Sequence, residues 1–220
     1  MRRLLIFGIG GQGKVVTETA ESLGYDELLF FADNSSGLSC LGHPVMGDSA
    51  AFFAWEPSEV FVAFGNQRAR KAFIGRIRKD AYHELATLIY PTDFLSRYSS
   101  VGEGSILSAG SIVMPNTHIG AGCIINTASS VDHDCTIGDY VHISVGAHVA
   151  GCTSIGEGTW LGAGSTVNDH VSICPWCMIG SEAVVVKDIE ECGTYVGVPA
   201  KPMHNRQGEG YEPIIFFHVA

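Results

Sequence analysis

Charge is scarce in this chain of 220 residues: only 16% are Asp, Glu, Lys or Arg, against about a quarter in an average globular protein. Cations are scarcer than anions, with 13 Lys and Arg against 23 Asp and Glu, so the formal net charge is −10. Such a surface repels phosphate backbones and anionic bilayers, and no nucleic-acid partner is expected. Long apolar runs are absent too, so no membrane insertion is expected. Intrinsic disorder is excluded by a hydrophobic fraction of 46%. The opening Met1-Arg2-Arg3-Leu4-Leu5-Ile6-Phe7 imitates a signal peptide only faintly, because Gly8 breaks the apolar stretch and no cleavage pattern follows. The expected location is therefore cytoplasmic. Seven cysteines, an odd number spread along the chain, suit free thiols in a reducing compartment.

Glycine is in excess, 27 of 220 residues, where average usage is about 7%. Its placement follows a period. Every sixth residue from Val101 through Leu107, Val113, Ile119, Ile125, Val131 and Ile137 to Val185 is Val, Ile or Leu. Four residues after each stands a small one, such as Ser105, Ser111, Thr117, Cys123, Ser129 and Cys135. Glycine often follows the aliphatic, as at Gly102, Gly120, Gly138, Gly156, Gly162 and Gly180. A six-residue step drifts around an α-helix and lines no face of it. Short strands separated by tight corners can use it, with the aliphatic filling the interior and the small residue turning the corner. Six-residue repeats are the mark of a parallel β-helix.

The first hundred residues read differently. Leu4–Phe7 is a buried strand that runs into Gly8-Ile9-Gly10-Gly11-Gln12-Gly13, a G-x-G-x-x-G loop, and then a helix over Val15–Leu23. Strands are expected at Leu28–Ala32, Val60–Phe64 and Leu85–Tyr90, with a helix over about Arg68–Arg78. The alternation predicts a small open parallel α/β sheet. The loop has more than one reading. As a dinucleotide fingerprint it has an acid, Asp33, 20 residues past Gly13. Yet the segment is long enough for one mononucleotide half only. A nucleotide diphosphate at the amino terminus of the helix suits the exposed N–H groups and the helix dipole. A tight strand-to-helix turn with no ligand is the third reading.

Taken together, Gly8–Gly13, Ala63-Phe64-Gly65-Asn66, Asn126–Gly151 and Gly197-Val198-Pro199-Ala200-Lys201 resemble the bacterial nucleotide-sugar N-acetyltransferases. Similar members are the bacillosamine-pathway and perosamine-type acetyltransferases, together with the sialic-acid O-acetyltransferases. The resemblance implies an α/β Rossmann-like domain over residues 1–95, an all-β left-handed parallel β-helix over 96–203 and a C-terminal tail over 204–220. It implies three hexapeptides per triangular coil, so that residues 18 apart stack, with four to five coils in all. It also implies acetyl-CoA as cosubstrate, a homotrimer with active sites between subunits, and no metal. In such enzymes the nucleotide-sugar is held by residues that correspond to Gly10, Gln12, Gly13, Asp33, Asn34, Gly65 and Asn66. Many members carry histidine where this chain has Gln12, and a second acid with lysine where it has Asn34-Ser35, so the resemblance leaves the nucleotide and the amino sugar open.

Asn126-Thr127-Ala128-Ser129-Ser130-Val131-Asp132-His133-Asp134 contains the His-acid pair of these enzymes. An amine that attacks a thioester must lose a proton, and imidazole accepts one near neutral pH. His133 is expected to be the general base, with Asp134 as the carboxylate that orients it. Stacking places Gly151 one coil beyond His133, where a residue without a side chain leaves room for a thioester and exposes a backbone N–H. By resemblance Asn126 is substrate-side, His142 and Gly151 meet the acetyl end of the cosubstrate, Gly162, Ala163 and Gly180 follow its pantetheine arm, and Pro199, Ala200 and Lys201 lie near its nucleotide. His118, His148 and His170 read as surface or interface residues. Cys174-Pro175-Trp176-Cys177 has no partner pair for a metal, and Cys177 falls on an inward small position, so it reads as core filler. Three other functions compete: an O-acetyltransferase on the same scaffold, a metal-dependent lyase, for which His133, His142 and His148 are wrongly spaced, and a nucleotide-binding scaffold without catalysis.

Overall fold

The computed structural model describes residues 1–33 and 39–203. The amino-terminal unit contains β1 (Arg3–Phe7), α1 (Gly11–Ser22), β2 (Glu27–Phe31), β3 (Ser39–Cys40), β4 (His43–Gly47), α2 (Ser49–Phe53), β5 (Glu59–Val62), α3 (Gln67–Asp80) and β6 (Glu84–Leu85). They form one sheet in the order β3-β4-β2-β1-β5-β6, parallel except for the β3–β4 pair. The central β1 is apolar at every core position because both of its faces are covered. Leu4 and Ile6 point toward α1, whereas Leu5 and Phe7 point toward Phe52, Phe73 and Ile74 on α2 and α3.

The sequence pattern misses β3, β4 and α2. β4 alternates between half-buried and exposed residues, and α2 has only five residues, so neither carries a strong periodic signal. The strand expected at Leu85–Tyr90 is two strands. β6 ends the α/β sheet, and β7 (Leu88–Ile89) begins the second unit.

From β7 to β23 (Val184–Val185) a two-residue strand recurs every six residues. Each pairs in parallel with the strand 18 residues away, as Ile106 does with Ile124 and Ser130 with His148. Three sheets result, with six, six and five of these strands, and Thr194–Val196 and Lys201–Pro202 extend the first to eight. They are the first, second and third faces of a three-sided prism. The aliphatic column is its interior: Leu107, Val113, Ile119, Ile125 and Val131 are all fully buried, as are the small residues Ser105, Ser111, Cys123 and Ser129. Polarity at the small positions has a use. The Ser105 hydroxyl donates to the Gly120 carbonyl at 2.9 Å and accepts from the Cys123 N–H at 2.8 Å, tying successive coils at a corner. Thr117 does the same with Asp132 and Cys135.

The prism is taller than expected from a repeat that starts at Val101. Ile89 and Leu95 lie on the same six-residue phase, and their strands pair with the coils above. The signal was present but masked by Tyr90-Pro91, which reads as a strand end. We therefore place the join between the two units between Leu85 and Leu88, ahead of the boundary expected at 95. The tail over 204–220 lies outside the described residues.

The units dock through two surfaces. Outward residues of the first face, Leu88, Ile106 and Ile124, complete the apolar cluster beneath β1 and α1. Helix α3 lies along the edge between the third and first faces, where Tyr140 joins its core. Arg70 on α3 is the clamp. It is fully buried, and its guanidinium donates to the carbonyls of Phe64 (2.6 Å), Gly65 (3.0 Å), Gly122 (2.6 Å) and Tyr140 (2.9 Å). Burial lowers its pKa to about 10, so it remains a cation at neutral pH with carbonyl dipoles in place of a carboxylate.

Replacing Arg70 by Met strands those carbonyls, and a loss of roughly 3–5 kcal/mol is expected. The exposed pair Lys71–Glu157 on the same helix is worth under about 1 kcal/mol. Chemical denaturation of Arg70→Met and Lys71→Met checks the contrast; equal shifts would contradict it.

Candidate active site

His133 and Asp134 occupy the corner between the second and third faces, between the strands Ser130–Val131 and Thr136–Ile137. Adjacent side chains in a strand point apart, yet these two meet. The reason is backbone conformation: Asp134 sits in the left-handed region (φ 57°), one of the few that Asp tolerates. Its carboxylate turns back to the ring, and His133 Nδ1 lies 2.8 Å from Asp134 Oδ2. The Asn116 amide, one coil earlier, donates to the other carboxylate oxygen at 3.2 Å. With Nδ1 donating to the carboxylate, Nε2 carries the lone pair. The hydrogen bond to Asp134 raises the imidazole pKa above its ordinary value and lowers that of Asp134.

Gly151 faces this ring from the next coil. A Cβ there would stand 2.7 Å from His133 Cε1 and 2.8 Å from Nε2, so a larger residue would have to push the ring aside. The Gly151 carbonyl accepts from the His170 N–H, but its own N–H has no hydrogen bond among the described residues. A base with an open lone pair therefore lies beside a bare backbone step with a free donor. That fits the thioester end of an acyl donor.

A second group forms on the first face. His142 takes the outward position above Ile124 on the first face and is buried there. Its ring stacks on Trp160 at 5.3 Å between centroids and 2° between planes, and Nε2 lies 3.4 Å from the Asn126 amide nitrogen. Burial, aided by the Arg70 charge, lowers the His142 pKa to about 3. It is a neutral group whose buried Nδ1 has no hydrogen bond among the described residues.

The glycine loop opens toward solvent at Gly10 and Gly11, where nothing would obstruct a side chain. Gly13 is needed for packing, since its Cβ would approach the Gly8 carbonyl oxygen to 2.6 Å. Helix α1 begins without a side-chain cap or a first-turn acid, which leaves its terminal N–H groups available. Gln12 Nε2 is buried and unpaired. Asp33 accepts from the Ser49 N–H at 2.9 Å, and Asn66 caps α3 by accepting from the Ala69 N–H at 2.9 Å. Gly65 is held by Arg70. Asn34 lies outside the described residues.

Gly162, Ala163 and Gly180 continue the corner on which Asn126 lies, between the first and second faces. Gly162 has a packing reason as well, because a Cβ would meet the Ser181 nitrogen at 2.6 Å. Pro199, Ala200 and Lys201 lie at the prism end, with Ala200 donating to the Val184 carbonyl. His118, His148 and His170 are exposed and bonded to Ser100, Ser130 and Asp169. Cys174 and Cys177 approach to 3.4 Å between sulfurs, and Cys177 is buried in the prism core.

The sequence reading missed Arg70, Trp160 and Asn116. Asn116 and Trp160 could have been found by the 18-residue step, from Asp134 and His142. Arg70 had no such signal, because its partners are all backbone.

Residues 3–77 match the family described as the PglD N-terminal domain, and residues 152–187 match the bacterial transferase hexapeptide (six repeats). The acetyltransferase domain of PglB from Neisseria gonorrhoeae FA1090, solved in complex with acetyl coenzyme A, is 37% identical, covers 92% of this chain and 99% of its own, and has a TM-score of 0.88. PerB from Caulobacter crescentus, solved with CoA and GDP-perosamine, is 33% identical over 92% of this chain and 98% of its own, at a TM-score of 0.87. The GDP-perosamine N-acetyltransferase of Escherichia coli O157:H7 is 29% identical over 153 residues, 66% of this chain and 69% of that protein.

Two outcomes test the geometry. Gly151→Ala pushes the imidazole aside, and turnover with an acetyl donor should fall on the order of 10²-fold while the fold persists. Asp134→Asn removes the contact that favours imidazolium. The neutral base is then present at lower pH, so the rising limb of the pH–rate profile moves toward acid; a limb that stays in place argues against the pair.

Proposed function

We propose that this chain, which belongs to the left-handed β-helix sugar N-acetyltransferases with a PglD-type amino-terminal domain, acetylates the amino group of a nucleotide-linked amino-deoxy sugar, with His133 as general base. The UDP- and GDP-linked amino sugars of bacterial glycan synthesis are the substrate class. The observation that carries the assignment of the base is the open Nε2 of His133, oriented by Asp134 and facing Gly151. When bound, acetyl-CoA supplies the acetyl group as a thioester. His133 Nε2 takes the proton that the attacking amine loses as the C–N bond forms, and it returns a proton to the departing thiolate. Asp134 holds the ring with its lone pair outward and stabilises the imidazolium. The free N–H of Gly151 is the donor for negative charge on the thioester oxygen. Gly162, Ala163, Gly180, Pro199, Ala200 and Lys201 are the residues proposed for the rest of the cosubstrate.

On the acceptor side, the open start of α1 at Gly10 and Gly13, together with Gln12, Asp33, Gly65 and Asn66, is proposed to hold the nucleotide diphosphate. The unpaired Gln12 Nε2 supports this. Asn126 and His142, both beside the Gly65 loop, are proposed to face the sugar or the acetyl group.

A single copy is incomplete. His142 lies on the first face, on which the α1 side of the amino-terminal unit also packs, whereas His133 lies on the corner between the second and third faces. A neighbouring copy is proposed to bring its His133 to the bound acceptor, and a homotrimer would do this with three equal sites. Phe94 and Ile112 stand outward on the second face, 53% and 41% exposed, and supply an apolar contact. All seven cysteines are free and no described helix is long and apolar enough to span a membrane, in keeping with a cytoplasmic location.

Incubating the protein with acetyl-CoA and GDP-perosamine, UDP-linked amino sugars or sialic acid tests the function. Amide formation on an amino sugar is expected, and ester formation on sialic acid alone would overturn it. His133→Ala should lose about 10²–10⁴ in turnover. Light scattering should give three chains per particle.

A further inference from the structure

One feature of the catalytic corner is unused by this chemistry. Cys152 follows Gly151 and stacks one coil beyond Asp134, 18 residues on. Both residues hold the same left-handed corner conformation, with φ of 57°. Each side chain therefore leaves its corner in the same direction. Gly151 has no side chain to separate the Cys152 thiol from the ring. A ring nitrogen of His133, a carboxylate oxygen of Asp134 and the Cys152 sulfur consequently lie within 4.8 Å of one another. All three residues are solvent-facing, and the thiol is free.

We propose that His133, Asp134 and Cys152 form a binding site for a thiophilic divalent cation of the zinc class, and that its occupation inhibits the enzyme by withholding the base. Nitrogen, oxygen and sulfur donors together suit zinc, cadmium or cobalt and are a poor set for magnesium or calcium. Three protein ligands with a fourth position open to water are a tetrahedral site of low demand. Bond lengths of about 2.0–2.3 Å put tetrahedral ligands roughly 3.3–3.8 Å apart; His133 Nδ1 and Asp134 Oδ2, at 2.8 Å, must part slightly to admit the cation, while the Cys152 sulfur need close in by no more than about 1 Å. Exposed side chains on a rigid corner can do this by rotamer adjustment. The cation enters between Asp134 and Nδ1, the ring proton moves to Nε2 and occupies the lone pair that serves as base, and the thiol proton goes to solvent; no electrons are transferred. Binding of this kind is reversible and distinct from a resident metal. The inhibitory half rests on the reading of His133 as the base.

Cobalt(II) titration of the full-length protein reads the site directly. A thiolate-to-cobalt charge-transfer band should saturate at one equivalent per chain, disappear in Cys152→Ser and be displaced by zinc. The neighbouring thiols Cys174 and Cys177 are the control, and Cys174→Ser should leave the band unchanged. In the acetyl-transfer assay, zinc should inhibit the wild type at the concentration that displaces cobalt, and chelator should restore the rate. Cys152→Ser should keep its uninhibited rate and need at least about tenfold more zinc, a difference worth roughly 1.4 kcal/mol. No band, or a band that persists in Cys152→Ser, overturns the metal site and leaves the base assignment untouched. A band that depends on Cys152 with turnover unaffected by zinc overturns the inhibition, and with it the assignment of His133 as base.

Discussion

Everything in the carboxy-terminal unit depends on the exact superposition of residues 18 apart. Each coil must present a large aliphatic and a small residue inward at every side, and from Gly104 to Glu182 each corner turns through one residue in the left-handed region. The buried aliphatics each contribute about 1.5–3 kcal/mol, and hydroxyl and thiol groups at the small positions bond the coils to one another. A slip of one residue would turn the core outward. This rigidity gives the active corner its precision: a ring on one coil and a bare backbone step on the next are held in place by the whole stack.

The corner conformation does further work at Asp134. Elsewhere the left-handed position is filled by Gly, by Asn116 and by residues as varied as Ala128, Tyr140, His170, Trp176 and Glu182. At residue 134 it turns a carboxylate onto the preceding imidazole, and one coil later it turns a thiol toward the same place. The same structural need, one tight bend per hexapeptide, thus brings both the Asp134 carboxylate and the Cys152 thiol to the His133 ring.

Electrostatics divides the histidines. His133 is exposed, bonded to a carboxylate and shifted toward its charged form, whereas His142 is buried, near the Arg70 cation and held neutral. Arg70 also fixes the Gly65 carbonyl and two carbonyls of the prism, so one buried cation ties the α/β sheet to the coils and adds to the burial that keeps His142 neutral. Its four carbonyl partners keep the charge tolerable where no carboxylate is at hand.

The hexapeptide phase, the glycine loop and the His-acid pair could be read from residue identities alone, because period and spacing are properties of the sequence. The same phase ran back to Ile89 and Leu95, but Pro91 concealed it; β3, β4 and α2 were too short or too exposed to leave a pattern. That Asp134 turns toward His133, that Arg70 bonds only to carbonyls, and that His142 and His133 stand on opposite sides of one prism were decided by the tertiary structure. Side-chain direction at a corner, backbone partners and the separation of two surfaces depend on how distant segments close in space, and no local pattern encodes them.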